Sequence, residues 1–89
     1  MRAIVTVVGQ DRVGIIADVC ALLAKNNVNV LDISQTVMQD YFTMIMMVDT
    51  ERCPLPFGEL AGLMKQEGPA LGLSIHIQRE DIFNAMHRI

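Results

Sequence analysis

The chain has 89 residues, a formal net charge of −3 and 52% hydrophobic residues, which suits one small domain with a modest core and is too apolar for disorder. Its seven basic residues, Arg2, Arg12, Lys25, Arg52, Lys65, Arg79 and Arg88, are scattered. They form no stripe of the kind that nucleic-acid binders carry, so direct DNA or RNA binding is not expected. No apolar run approaches the roughly 20 residues of a membrane span, so a membrane partner is not expected either.

Met1-Arg2-Ala3-Ile4 leads straight into a strand pattern with no cleavage-site signature, so the expected location is cytoplasmic. RAIVTVV, residues 2 to 8, is rich in β-branched types and predicts a strand. Both of its phases are apolar, Ile4 and Val8 on one and Ala3, Val5 and Val7 on the other, as in a central strand covered on both faces. From Val13 to Asn26 the period becomes helical, with Ile15, Ile16, Val19, Leu22 and Leu23 on one stripe. Asp11 stands near the helix start, where a carboxylate can accept orphan N–H bonds. Asn26-Asn27 ends the helix with residues that tolerate left-handed backbone.

VNVLDISQTVM, 28 to 38, is extended, and its apolar phase slips near Leu31-Asp32, which predicts a bulge. Gln39-Asp40 is the expected hairpin turn, and YFTMIMMVD, 41 to 49, is a third strand, apolar on both phases. Pro54 and Pro56 mark a loop. Phe57, Leu60, Leu63 and Met64 then form a second helical stripe that stops at Gly68-Pro69. LSIHIQR, 73 to 79, alternates cleanly and predicts a strand with one wet face. Ile82, Phe83, Met86 and Ile89 lie at helical spacing behind Glu80 and Asp81, so a short C-terminal helix is expected over about 80–88.

The order β-α-β-β-α-β is the signature of the ferredoxin-like α/β (α+β) sandwich, here one domain over 1–89. It implies a four-stranded antiparallel sheet with the first and third strands central, two helices on one face and the added C-terminal helix. The other face still carries apolar side chains, which the terminal helix or a partner chain must cover.

Gly9-Gln10-Asp11-Arg12-Val13-Gly14 has the spacing of a phosphate loop, but Ile15 and Ile16 stand where Lys and Ser or Thr belong. The dinucleotide pattern fails as well, because no glycine fills its second position. Two readings stay open. One is a tight structural turn, with Gly9 ending the strand and Gly14 admitting the helix. In the other, N–H groups at the helix start take a carboxylate while Asp11 takes an ammonium, which suits a zwitterion such as an amino acid.

Val8-Gly9-Gln10-Asp11-Arg12-Val13-Gly14-Ile15-Ile16-Ala17 resembles the first loop of the ACT domain. Asn29-Val30 followed by Asp32-Ile33-Ser34-Gln35 is similar to its second-strand segment. The resemblance covers nearly the whole chain and is strongest to small stand-alone ACT proteins related to the glycine cleavage system transcriptional repressor. One departure is Val13, where the family usually has Pro before the loop glycine. The resemblance implies dimers that join their sheets. It also implies amino-acid binding between the first loop of one chain and the second strand of the other. Carried over, the ligand residues are Asp11, Val13, Gly14 and Ile15 on one side and Asn29 and Val30 on the other, with Asp32 and Gln35 behind them.

Cys20 and Cys53 form no Cys-x-x-Cys pair and read as reduced thiols. Met44, Met46 and Met47 read as core filling, with an adaptable partner surface as the alternative. His76 and His87 read as surface residues, and no metal site or cofactor is expected. Ser34, Asp32 and His76 are triad types with nothing in their spacing to join them, so an enzyme is not expected. The expected function is a regulatory module that senses an amino acid or related metabolite as a homodimer. The alternative is a ligand-free interaction module that regulates a partner protein.

Overall fold

A computed structural model describes residues 1–86. Strand β1 runs over Arg2–Gln10, helix α1 over Ile15–Lys25, β2 over Asn29–Met38 and β3 over Tyr41–Asp49. Helix α2 follows over Phe57–Glu67, then a 3₁₀ turn over Pro69–Leu71, β4 over Leu73–Arg79 and α3 over Glu80–Met86. The expected last turn to residue 88, with His87, Ile89 and the Met86 side chain, lies outside the described residues.

The strands form one antiparallel sheet in the order β2-β3-β1-β4. Its centre is β1 and β3, the two strands whose sequences are apolar on both phases. One face holds Ala3, Val5 and Val7 from β1, Phe42, Met44, Met46 and Val48 from β3, and Leu73, Ile75 and Ile77 from β4. These pack with Ile15, Val19 and Leu23 of α1 and Leu60 and Met64 of α2 in a single core. Met44 and Met46 are therefore core fillers, and β4 has the one wet face its alternation predicts.

The register shift expected near Leu31-Asp32 falls between Val30 and Asp32. It splits β2 into a short start and a regular stretch, Asp32–Met38. Asn27 and Gln39 adopt positive φ, so the first ends α1 and the second turns the β2–β3 hairpin. The surface ion pairs among the described residues are exposed or half-exposed and solvent-screened, so they contribute little. The core carries the fold.

Two local expectations are corrected. Helix α1 begins at Ile15 rather than Val13, and its N-cap is Gly14 with no side-chain cap, so Asp11 does not cap it. Gly14 has φ 90° and ψ 3°, a left-handed turn that swings the chain into the helix after Val13. Of the expected stripe, Ile15, Val19 and Leu23 are buried, Leu22 is half-buried and Ile16 is exposed.

On the second face, Ile4, Thr6, Val8, Ile45 and Met47 lie between the polar residues of β2 and β4. Helix α3 contacts β1 and β4, and the Arg2 Nε–Glu80 Oε2 ion pair of 2.9 Å ties its start to β1. Ile4, at that end, is only 5% exposed, whereas Val8 and Ile45 stay open.

Candidate functional site

The first loop is built by backbone geometry. Gly9 and Gln10 end β1, the Asp11 N–H donates to the Asp40 carbonyl at 2.8 Å, and the loop is thereby tied to the β2–β3 turn. Gly14 turns the chain, and its carbonyl accepts the first helical bond from the Asp18 N–H at 2.9 Å. No side-chain hydrogen bond caps the first turn of α1, whose N–H groups stand at the positive end of the helix dipole. Val13 is 97% exposed on this loop. Ile15 is a core side chain, so only its backbone N–H can meet a ligand.

Arg12 is the residue that sequence reasoning missed. Its Nη2 donates to Asp18 Oδ2 at 2.9 Å and to the Leu71 carbonyl at 2.9 Å, and Nη1 donates to the Val13 carbonyl at 3.1 Å. It straps the first loop to the turn before β4. The strap joins residues 59 positions apart, so no local pattern signals it.

The second-strand residues lie elsewhere. Asn29 is exposed and pairs with Asp49, while Val30 is half-buried against the core. Asp32 lies on the open face, with its Oδ1 accepting the Ile33 N–H at 2.9 Å, and Gln35 lies on the helix side, beyond the cover of α1. Gln10 pairs with Tyr41 at one end of β3, and Asn29 pairs with Asp49 at the other. Eight strand steps separate them, about 27 Å at ~3.4 Å per residue. One chain therefore keeps the Asp11–Ile15 group and the Asn29–Val30 group at opposite ends of its sheet.

The triad types stay apart as well. Ser34 and His76 share a row of the open face with two strands between them, about 14 Å at ~4.8 Å per strand. His76 Nε2 hydrogen-bonds to Ser74 Oγ at 3.1 Å instead. Among the described residues, no group of three or more His, Cys, Asp or Glu could hold a metal.

A ferredoxin-like sandwich with the strand order 2-3-1-4 and a glycine turn into its first helix is the fold of the ACT domain. The chain belongs to the ACT domain family, whose model matches residues 2–78, all of the sandwich but only the part before α3. It is 53% identical over 88 residues to a UPF0237 protein of Bifidobacterium longum, covering 99% of this chain and 98% of the relative. An ACT domain protein from Streptococcus pneumoniae superposes with a TM-score of 0.83 at 41% identity, over 98% of each chain. A putative glycine cleavage system transcriptional repressor shares the fold at TM-score 0.70 and 22% identity, over 86% of this chain and 44% of its own. ACT domains are typically regulatory and ligand-binding, and that is the class in which this chain falls.

Proposed function

We propose that this protein is a non-catalytic regulatory module that binds an amino acid or related small zwitterion between two copies of itself. The observation that carries this is the separation of the two halves of the site. The loop with the open helix N-terminus and the start of β2 lie about 27 Å apart in one chain, so a shared ligand needs a second chain to join them.

The free edge of β2 fits that second copy. Its regular stretch, Asp32–Met38, has no charge after Asp32, whereas exposed edges are usually guarded by charge or proline. Antiparallel self-pairing over that whole stretch centres the two-fold on Gln35. Ile33, 38% exposed, then meets Val37 of the partner subunit, and Val37 is itself 52% exposed. Ser34 meets Thr36 of the partner subunit on the open face. Because the strands run oppositely, the partner's hairpin turn, with its bonded first loop, comes to the start of this β2. The ligand would favour the joined dimer and shift its population, which is how a module without chemistry regulates.

The test pairs light scattering with a thermal-shift screen of the protein amino acids at millimolar concentration. A dimer is expected, with one chemical class raising stability; at about 100 times its Kd a ligand adds ~2.7 kcal/mol. A monomer at high micromolar concentration, or a dimer that no amino acid stabilises, overturns the reading.

The exposed Val8 and Ile45 on the open sheet face favour a second reading, a ligand-free module that docks a regulated partner protein there. A stoichiometric partner lost on Ile45→Lys, with no amino-acid effect, would select it. A cytoplasmic location fits either reading, since both cysteines are free.

A further inference from the structure

The second edge of the sheet is β4, which has β1 on one side and no strand on the other. Its backbone there is only half covered. The Leu73 N–H donates to the Gly68 carbonyl at 2.9 Å, so Leu73 points its backbone groups away from β1. Antiparallel pairing alternates which residues face the neighbouring strand, so Ile75, Ile77 and Arg79 point the same way as Leu73. Gly68 shields the start of this row, since a Cβ on it would lie 2.7 Å from the Leu73 carbonyl oxygen and 3.3 Å from the Ile75 nitrogen. Past the Ile75 nitrogen the shield ends. The Ile75 carbonyl and both backbone groups of Ile77 face a side on which the sheet has no strand. From Ser74 to Gln78 the strand has no Lys, Arg, Asp, Glu or Pro, the residues that usually guard such an edge.

A groove of about 230 Å³ opens beside this row. Lys65 of α2 and Pro69 of the turn after it form one wall, and Leu73, Ser74, Ile75 and His76 form the other. That volume is below the roughly 300–1,000 Å³ of small-molecule sites and suits one side chain of a segment lying along the edge. Lys65 is the one lining residue of fixed charge. It is exposed and has no hydrogen bond or ion pair among the described residues.

We propose that the β4 edge docks an extended segment of a partner protein, which adds as a fifth strand and carries an acidic residue. Its backbone pairs with Ile77 and the Ile75 carbonyl, an apolar side chain enters the groove, and its carboxylate meets Lys65. Main-chain bonds give such an added strand its affinity, and side-chain pockets give it selectivity. A second copy fits this edge less well. Antiparallel self-pairing about Ile77 sets Arg79 of the partner subunit opposite Ile75. Arg79 shares the phase of the buried Ile75 and Ile77, so it falls on the helix side beside Lys65, where like charges meet. The proposal is independent of the amino-acid reading, because pairing through β2 leaves β4 at the outer edge of the sheet.

The experiment is a selection of phage-displayed random linear heptapeptides on the whole protein, followed by amide NMR titration with the synthetic peptide it returns. An alternating apolar sequence with one Asp or Glu is expected, with amide shifts over residues 65–69 and 73–79. Affinity should fall about fivefold in Lys65→Glu, as for the loss of one exposed ion pair. A peptide with lysine in place of its acidic residue should bind that variant better than the parent. N-methylating the peptide backbone where it faces Ile77 should abolish binding while every side chain is kept. The proposal is overturned if no peptide is selected, if the shifts fall on Val8 and Ile45 or on residues 32–38 instead, or if parent and Lys65→Glu bind equally. Particles larger than a dimer in light scattering that the peptide disperses would give the edge to a second copy and overturn it too.

Discussion

Gly14 concentrates the loop's requirements in one residue. Its φ of 90° is costly for any side chain, yet a Cβ there would meet nothing closer than Arg12 Nη1 at 3.8 Å. The cost of Gly14→Val is therefore conformational, about 1–2 kcal/mol, and urea denaturation should show it. The same change should abolish the amino-acid response, because the first-turn N–H groups can no longer be presented. A variant of full stability and full affinity would show that the turn is unimportant. Gly68 answers to a different rule. Its φ is −54°, but a Cβ would lie 2.7 Å from the Leu73 carbonyl oxygen, which is backbone and cannot yield. The need for glycine at 14 was legible from the strand-to-helix switch around it. The need at 68 depends on how closely β4 approaches, which the sequence does not display.

At the scale of elements, the central strands decide stability. Met46 on β3 is fully buried in the core, so Met46→Ala should cost about 2–5 kcal/mol by leaving a cavity, read by urea denaturation. A cost under ~1 kcal/mol would mean that the core collapses around the gap. The end of β3 carries the pH dependence. Asp49 is held below the ordinary 3.8 by the Glu51 N–H and then by the N-terminal ammonium. A depressed carboxyl contributes stability that is complete above its unfolded value and lost as pH falls through its folded value. Denaturation followed from neutral pH down through 3.8 should therefore show a steeper acid decline in the parent than in Asp49→Asn. Identical acid slopes would remove Asp49 from the account.

At the scale of the whole molecule, the free edge of β2 is where a second copy would join. If β2 edges join about Gln35, Val37→Lys places a charge against Ile33 of the partner subunit and should convert the dimer to a monomer in light scattering. The core should be untouched, since Val37 is 52% exposed in the single chain. A dimer that persists unchanged would move the interface to another face. Amino-acid stabilisation should vanish with the dimer, because the loop and the start of β2 would again stand about 27 Å apart.

Residue spacing alone determined the elements, the bulge at Leu31-Asp32, the hairpin at Gln39-Asp40 and the central places of β1 and β3. It could do so because strand and helix periods are short-range, repeating every two or every three to four residues. Only the tertiary structure decided that Asp11 does not cap α1, that Arg12 reaches Leu71, and that the Asp11–Ile15 and Asn29–Val30 groups of the proposed site lie at opposite ends of the sheet. Each of these depends on where one solitary side chain or loop falls relative to residues distant in the chain. Such a placement is set by packing, and it leaves no repeat in the sequence to be read.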